Sequence, residues 1–230
     1  MRAYLTEFIG TFFLVLTVGL CANPNTSPAT AAMAPLAIGA SLMIMVYMGG
    51  HVSGGHYNPA VSLAVLIRGK LKGKDFLAYI VAQLAGGLMA AYAASVIMGH
   101  ATPIAPSEIH VAANNTKLPI NLGLCLLVEG LFTFALALVV LNAATAKETA
   151  GNSFYGLAIG FTIVVAAFAG GPISGGAFNP AVGTSLTAVS ALAGGGSWQY
   201  LWLYLVGPLL GGAAAGVVFR EQHPDAKASD

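Results

Sequence analysis

Apolar residues fall along this chain in long unbroken runs, not in the alternation of a half-buried strand or the narrow stripe of a soluble amphipathic helix. Runs of about 20 residues, enough to cross a hydrocarbon layer of roughly 30 Å, occur at Tyr4 to Cys21, Met33 to Gly50, Phe76 to Met98, Asn121 to Leu141, Phe154 to Ala169 and Tyr200 to Phe219. The pattern predicts six helical crossings, with Phe154 to Ala169 the least well marked. Two more apolar stretches, Asn58 to Ile67 and Asn179 to Val189, are too short to cross, because such a helix rises only about 15 Å, half the layer. Each follows a polar segment that is written twice: "SGGHYNPAV" at Ser53 to Val61 and "SGGAFNPAV" at Ser174 to Val182.

The duplication extends well beyond that segment. Glu7 in "TEFIGTFFLVL" matches Glu129 in "VEGLFTFALAL", Asn58 matches Asn179, and "QLAGGLMAA" near Gly86 matches "GPLLGGAAA" near Gly211, all at nearly the same separation. The expected organisation is a single membrane domain over residues 1–230 built from internal repeats at 1–100 and 120–222. Each repeat holds three crossings and one short helix. An odd number of crossings makes the second repeat enter the membrane from the opposite face, which is an inverted repeat. The predicted fold class is therefore an all-α membrane protein with six transmembrane helices and two re-entrant half-helices that meet, N-terminus to N-terminus, near the midplane.

Composition agrees with the pattern, since 57% of the 230 residues are hydrophobic and only 7% are charged, against about 25% charged in an ordinary soluble domain. Of the nine Lys and Arg, Arg2, Arg68, Lys70, Lys72, Lys74, Lys147, Arg220 and Lys227 fall on the side of both termini, and Lys117 alone falls on the other. The positive-inside rule places both termini in the cytoplasm, in what is expected to be the cell (inner) membrane. The first run has no basic n-region beyond Arg2 and no convincing cleavage site, so it reads as a retained helix. A net charge of +1 gives no nucleic-acid footprint, and the Arg68 to Lys74 run is more simply an orientation signal than a lipid site. Cys21 and Cys125 lack metal or redox spacing and read as small apolar residues. No cofactor, metal site, nucleophile elbow or phosphate loop is indicated, which argues against an enzyme.

The duplicated segment has the chemistry of a helix start at membrane depth. Asn is among the best N-caps, and Pro suits the first helical position, where its missing N–H would be unpaired anyway. That assigns Asn58 with Pro59, and Asn179 with Pro180, to the two starts. The preceding Gly49 to Gly55 and Gly170 to Gly176 read as irregular backbone, which is tolerated in a membrane only where protein buries it or water meets it. A water-filled path follows, with each Asn oxygen capping its helix and each amide NH2 free to donate into the path. The two half-helix N-termini each carry about half a positive charge. Together they oppose a cation or proton at the midplane. A water that accepts from both amides also loses the donor–acceptor order on which proton hopping depends.

These two Asn-Pro-Ala half-helices, with Glu7 and Glu129 in the first helix of each repeat, resemble the aquaporin (major intrinsic protein) family over nearly the whole chain. The resemblance implies a passive channel for water and small uncharged solutes, working as a homotetramer with one pore per subunit in the lipid bilayer. It implies that Asn58 and Asn179 donate to the permeating molecule, and that backbone carbonyls of Gly54, Gly55, His56, Tyr57, Gly175, Gly176, Ala177 and Phe178 accept along one wall. Its selectivity-filter positions map to Ile38, Ala167, Gly176 and Val182. Family water channels usually carry Arg where Val182 stands. Glycerol channels typically add Asp and a basic residue where Gly183 and Thr187 stand. An apolar, wide filter is the expectation, of the kind found in members that admit glycerol-like polyols, urea and metalloid hydroxides such as arsenite.

Other readings stay open at this point. Glu7 and Glu129 are ionisable groups inside crossings, which a proton-coupled secondary transporter would use. They read better as structural struts accepting N–H bonds from the irregular loops. A water-selective channel with little solute flux is a further alternative. So is a structural membrane protein with an incidental pore. His51 and His56 beside the first Asn admit a pH gate but read more simply as loop-bonding groups.

Overall fold

The computed structural model describes residues 1–111 and 116–224. Six helices are long and apolar enough to cross a membrane: α1 (Arg2–Cys21), α2 (Pro28–Ser53), α4 (Gly73–Met98), α5 (Leu122–Thr145), α6 (Tyr155–Ser174) and α8 (Leu201–Gln222). The short helices are α3 (Pro59–Arg68) and α7 (Pro180–Leu192). A small antiparallel hairpin, β1 (Ile109–Val111) with β2 (Thr116–Leu118), lies in the connection between α4 and α5.

The helices pack as two equivalent sets. α1 lies against α2 and α4 as α5 lies against α6 and α8, and each short helix crosses to the other set, α3 onto α8 and α7 onto α4. Small residues make these crossings possible, because close helix approach in a membrane depends on packing and not on a hydrophobic drive. A Cβ at Gly86 would collide with the Phe8 carbonyl, one at Gly212 with the Ala60 carbonyl, and one at Gly211 with the Gly130 carbonyl. Leu, Val, Ile and Phe at the outward positions, such as Leu77, Val81, Phe161 and Leu210, are exposed, as a lipid-facing surface requires.

The sequence reading needs correction at the glycine-rich segments. Gly49 to Gly55 and Gly170 to Gly176 were expected to be irregular, yet α2 continues to Ser53 and α6 to Ser174. The glycines inside these last turns serve contact. A Cβ at Gly49 would strike Tyr57 and Thr6, and one at Gly170 would come within 2.8 Å of Val128 and 2.9 Å of Phe178. The helices end one residue later, at Gly54 (φ 90°) and Gly175 (φ 92°), in the left-handed conformation that glycine adopts without a Cβ clash. The same correction lengthens the run read at Phe154 to Ala169, which passes through Pro172 to Ser174. Arg68, the first residue of the run read as an orientation signal, is buried, with its guanidinium 5.1 Å from the centre of the Phe219 ring. Lys227 lies outside the described residues.

Candidate functional site

The irregular backbone that remains is short, Gly54 to Asn58 and Gly175 to Asn179, and its shape is fixed by buried carboxylates. Glu7 Oε1 accepts from the Ser53 hydroxyl (2.7 Å) and the His56 N–H (3.0 Å), and Oε2 accepts from the Tyr57 N–H (2.7 Å). In the second half Glu129 Oε1 accepts from the Ser174 hydroxyl (2.7 Å) and the Ala177 N–H (3.0 Å), and Oε2 from the Phe178 N–H (2.7 Å). Tyr79 and Tyr204 complete each set by donating, at 2.7 Å, to the Ser53 and Ser174 carbonyls. Tyr57 (φ 50°) and Phe178 (φ 47°) are held in the left-handed region. Side chains rarely adopt it unless surrounding contacts over-determine them. The carboxylate bonds to their N–H groups and their complete burial supply those contacts.

The half-helix starts follow directly. Asn58 Oδ1 accepts from the Ala60 N–H and Asn179 Oδ1 from the Ala181 N–H, both at 2.9 Å, with Pro59 and Pro180 in the first helical turn. The amide groups are not wholly free, as the sequence suggested. Asn58 Nδ2 donates to the Phe178 carbonyl and Asn179 Nδ2 to the Tyr57 carbonyl, each at 2.9 Å. A primary amide has two N–H donors. One therefore ties the halves together across the centre, and the other has no partner among the described residues of the protein. Because the Tyr57 and Phe178 carbonyls accept from asparagine, they join the two loops as well as presenting oxygen.

A cavity of about 40 Å³ lies at this junction, and its lining includes His56, Asn58, Gly176, Ala177, Phe178 and Asn179. Leu14, Val18, Leu42, Val61, Leu136, Val140, Ile159 and Ile163 line the rest. Ile38, Ala167, Gly176 and Val182 all border the same cavity. On the side carrying both termini it is followed by a vestibule of about 720 Å³, whose lining includes His56, Gly54 and Ser53. The cavity and the vestibule share His56 and Val140 in their linings. Among the described residues no group of three or more His, Cys, Asp or Glu could hold a metal ion.

The family model described as major intrinsic protein matches residues 1–219. The chain belongs to the major intrinsic protein family. Among its relatives, glycerol uptake facilitator protein-like 6 of Lactiplantibacillus plantarum is 33% identical over 226 residues, covering 96% of this chain and 97% of the relative. Aquaporin-8 of Mus musculus is 33% identical over 222 residues, covering 94% of this chain and 80% of the relative. The X-ray structure of the aquaglyceroporin from Plasmodium falciparum shares the fold with a TM-score of 0.80 over 99% of this chain and 98% of that one, at 23% identity. This major intrinsic protein is accordingly an integral membrane channel of the water and small-solute class and not an enzyme.

Not every residue singled out in the sequence of this major intrinsic protein reaches the cavity. Gly54 lines the vestibule, whereas Gly55, Tyr57 and Gly175 border neither space. Sequence reasoning also missed a polar group particular to the first half. His56 Nδ1 lies 3.1 Å from the Ser62 hydroxyl, and Gln83 Nε2 donates to both Ser62 (3.0 Å) and Glu7 Oε2 (2.8 Å). The matching positions of the second half are Ala177, Gly183 and Pro208. Placing one repeat over the other and asking which polar residues lack a counterpart would have found this cluster. Of His56, Ser62 and Gln83, only His56 borders the passage, as Ala177 does from the second half; Ser62 and Gln83 are fully buried and border neither space.

Proposed function

We propose that this major intrinsic protein conducts small uncharged polar solutes, namely glycerol-like polyols, urea and metalloid hydroxides such as arsenite, together with water, and excludes ions and protons. The observation that carries the proposal is that the filter positions Ile38, Ala167, Gly176 and Val182 border the cavity without a charged side chain among them. A polyol passing there meets donors from Asn58 and Asn179 on one side and hydrocarbon on the other, which suits a molecule with hydroxyls along one edge. The name of the Lactiplantibacillus plantarum relative, a glycerol uptake facilitator protein-like chain, supports the same class. A bare cation would lose its hydration shell to an apolar wall and face two positive helix ends.

The remaining assignments belong to this reading. The assembly is a homotetramer in the cell (inner) membrane, with both termini cytoplasmic, and Glu7 and Glu129 are struts, not proton carriers. One observation favours a narrower alternative. The free space beside the asparagines, about 40 Å³, is close to water-sized and suits water flow with little solute flux. Proteoliposomes shifted into water-only, glycerol, urea and arsenite gradients decide between them by stopped-flow light scattering. The proposal expects solute entry above the lipid background, linear in the gradient and indifferent to an imposed proton or sodium gradient. Saturation with ion dependence would show a secondary transporter, and water flow alone would show the narrower channel.

A further inference from the structure

The turn that joins α5 to α6 is a partition between two spaces. Ala146, Lys147, Thr149, Ala150, Gly151 and Asn152 wall the vestibule, and Ala146 and Lys147 also border a smaller pocket of about 180 Å³ at the end of α8. In that pocket stands His223, which caps the C-terminus of α8. Its hydrogen bonding is set by Asn142 of α5. Asn142 Nδ2 donates to the Leu138 carbonyl (3.0 Å) and to Gln222 Oε1 (3.3 Å), which leaves Oδ1 to face His223 Nε2 at 2.9 Å. An amide oxygen only accepts, so Nε2 carries the proton of the neutral imidazole and Nδ1 keeps a bare lone pair. That lone pair faces Glu148 Oε2 of the turn at 3.5 Å. Two acceptors do not bond, whereas a second proton on Nδ1 turns the contact into a charge-assisted hydrogen bond.

We propose that His223 and Glu148 form a proton-operated clasp, which on acidification of the terminal side draws the α5–α6 turn onto the end of α8, away from the vestibule, and opens the inner mouth. Among the described residues, the charged groups facing the ring from the elements packed on it are Glu148 and Lys147 in the turn, and Arg68 of α3, which lies on the Phe219 ring whose centre is 4.4 Å from that of the imidazole. Arg220 and Glu221 of α8 border neither space. Glu148 is therefore the described acceptor placed for an Nδ1–H, and histidine takes up that proton within the range of pH 5 to 8. The rest of the turn is anchored whatever the pH. The Thr149 hydroxyl donates to the Asn142 carbonyl (2.6 Å) and Asn152 Nδ2 to the Ala143 carbonyl (2.7 Å), so the clasp tilts the turn without unfolding it. It alters how fast solute passes, not the driving force. The effect on the mouth rests on the channel reading above, whereas the clasp itself does not.

Hydrogen exchange on the detergent-solubilised full chain reads the clasp through the turn amides of Ala150 and Asn152, which donate to the Lys147 and Thr149 carbonyls. Corrected for the intrinsic effect of pH on exchange, these amides are expected to exchange about fivefold more slowly at pH 5.5 than at pH 7.5, on either side of the ordinary histidine titration. Glu148→Ala is expected to exchange fast at both values. Glu148→Gln, whose amide can donate to the bare Nδ1 and accept from Nδ1–H, is expected to exchange slowly at both. Exchange in the wild type that ignores pH, a pH effect that survives Glu148→Ala, or a Glu148→Gln variant as fast as Glu148→Ala would overturn the clasp. Water flux in proteoliposomes with equal pH on both faces is expected to be about twofold higher at pH 5.5 than at pH 7.5, and the same at both in Glu148→Ala. Flux that ignores pH while exchange responds would overturn the opening of the mouth. Flux no greater than that of empty liposomes, with the exchange result intact, would overturn the channel reading and leave the clasp standing.

Discussion

At the scale of single residues, each asparagine amide is used in two ways and half spared in a third: Oδ1 caps a helix, one N–H bonds the opposite loop, and the other N–H has no partner among the described residues of the protein. Replacing Asn58 or Asn179 by Asp keeps the capping oxygen, removes both N–H donors and sets a negative charge against the two positive helix ends. The expected outcome is cation conductance in planar bilayers well above that of the wild type. No rise in either variant would count against the central electrostatic barrier. The carboxylates make a complementary case. Each of Glu7 and Glu129 takes backbone N–H groups on both oxygens, so an amide in its place leaves one buried N–H facing an NH2. Glu129→Gln is expected to cost about 1 to 3 kcal/mol, seen as a lower unfolding temperature in detergent, with flux per folded channel retained. A variant that folds normally and loses only a proton-driven flux would instead support a transporter.

At the scale of elements, the half-helices were legible because their length and their Asn-Pro start both follow from local chemistry. Their mutual contact was legible because the sequence states it twice. What misled was glycine. Gly49 and Gly170 look like chain breakers in sequence, but in a packed membrane bundle they sit inside helices because Tyr57 and Phe178 fold back against them, and that contact is made by residues the periodicity does not relate. Arg68 misled for the same reason: its place on Phe219 depends on α3 crossing to α8. The crossing itself gives a prediction. A side chain at Gly212 meets the Ala60 carbonyl in the first turn of α3, so Gly212→Val should overpack that contact by about 1 to 3 kcal/mol and shift the half-helix. Gly73→Ala is the control, since a Cβ there meets nothing within 4 Å and its backbone is not in the left-handed region. Size-exclusion profiles and flux should show the Gly212 variant clearly the worse of the two. Equal behaviour would mean that the crossing has room to spare.

At the scale of the whole molecule, six crossings and an inverted repeat were readable from run length and duplication, whereas the difference between the halves was not. That difference lies in His56, Ser62 and Gln83 on one side of the junction and Ala177, Gly183 and Pro208 on the other. Of these only His56 and Ala177 border the passage, and the positions read as the filter, Ile38, Ala167, Gly176 and Val182, give it an end without a polar side chain. The central claim is that this apolar end, and not the asparagine junction, sets which neutral molecules pass. Val182→Arg tests it most directly. The change places a charged fork of five donors beside Ala167 and Gly176, filling space and making the wall polar. Glycerol and water permeabilities are measured by stopped-flow light scattering on proteoliposomes matched for correctly assembled protein. The account predicts a fall in glycerol permeability of at least tenfold with water permeability reduced by less than about threefold; an equal loss of both would contradict it.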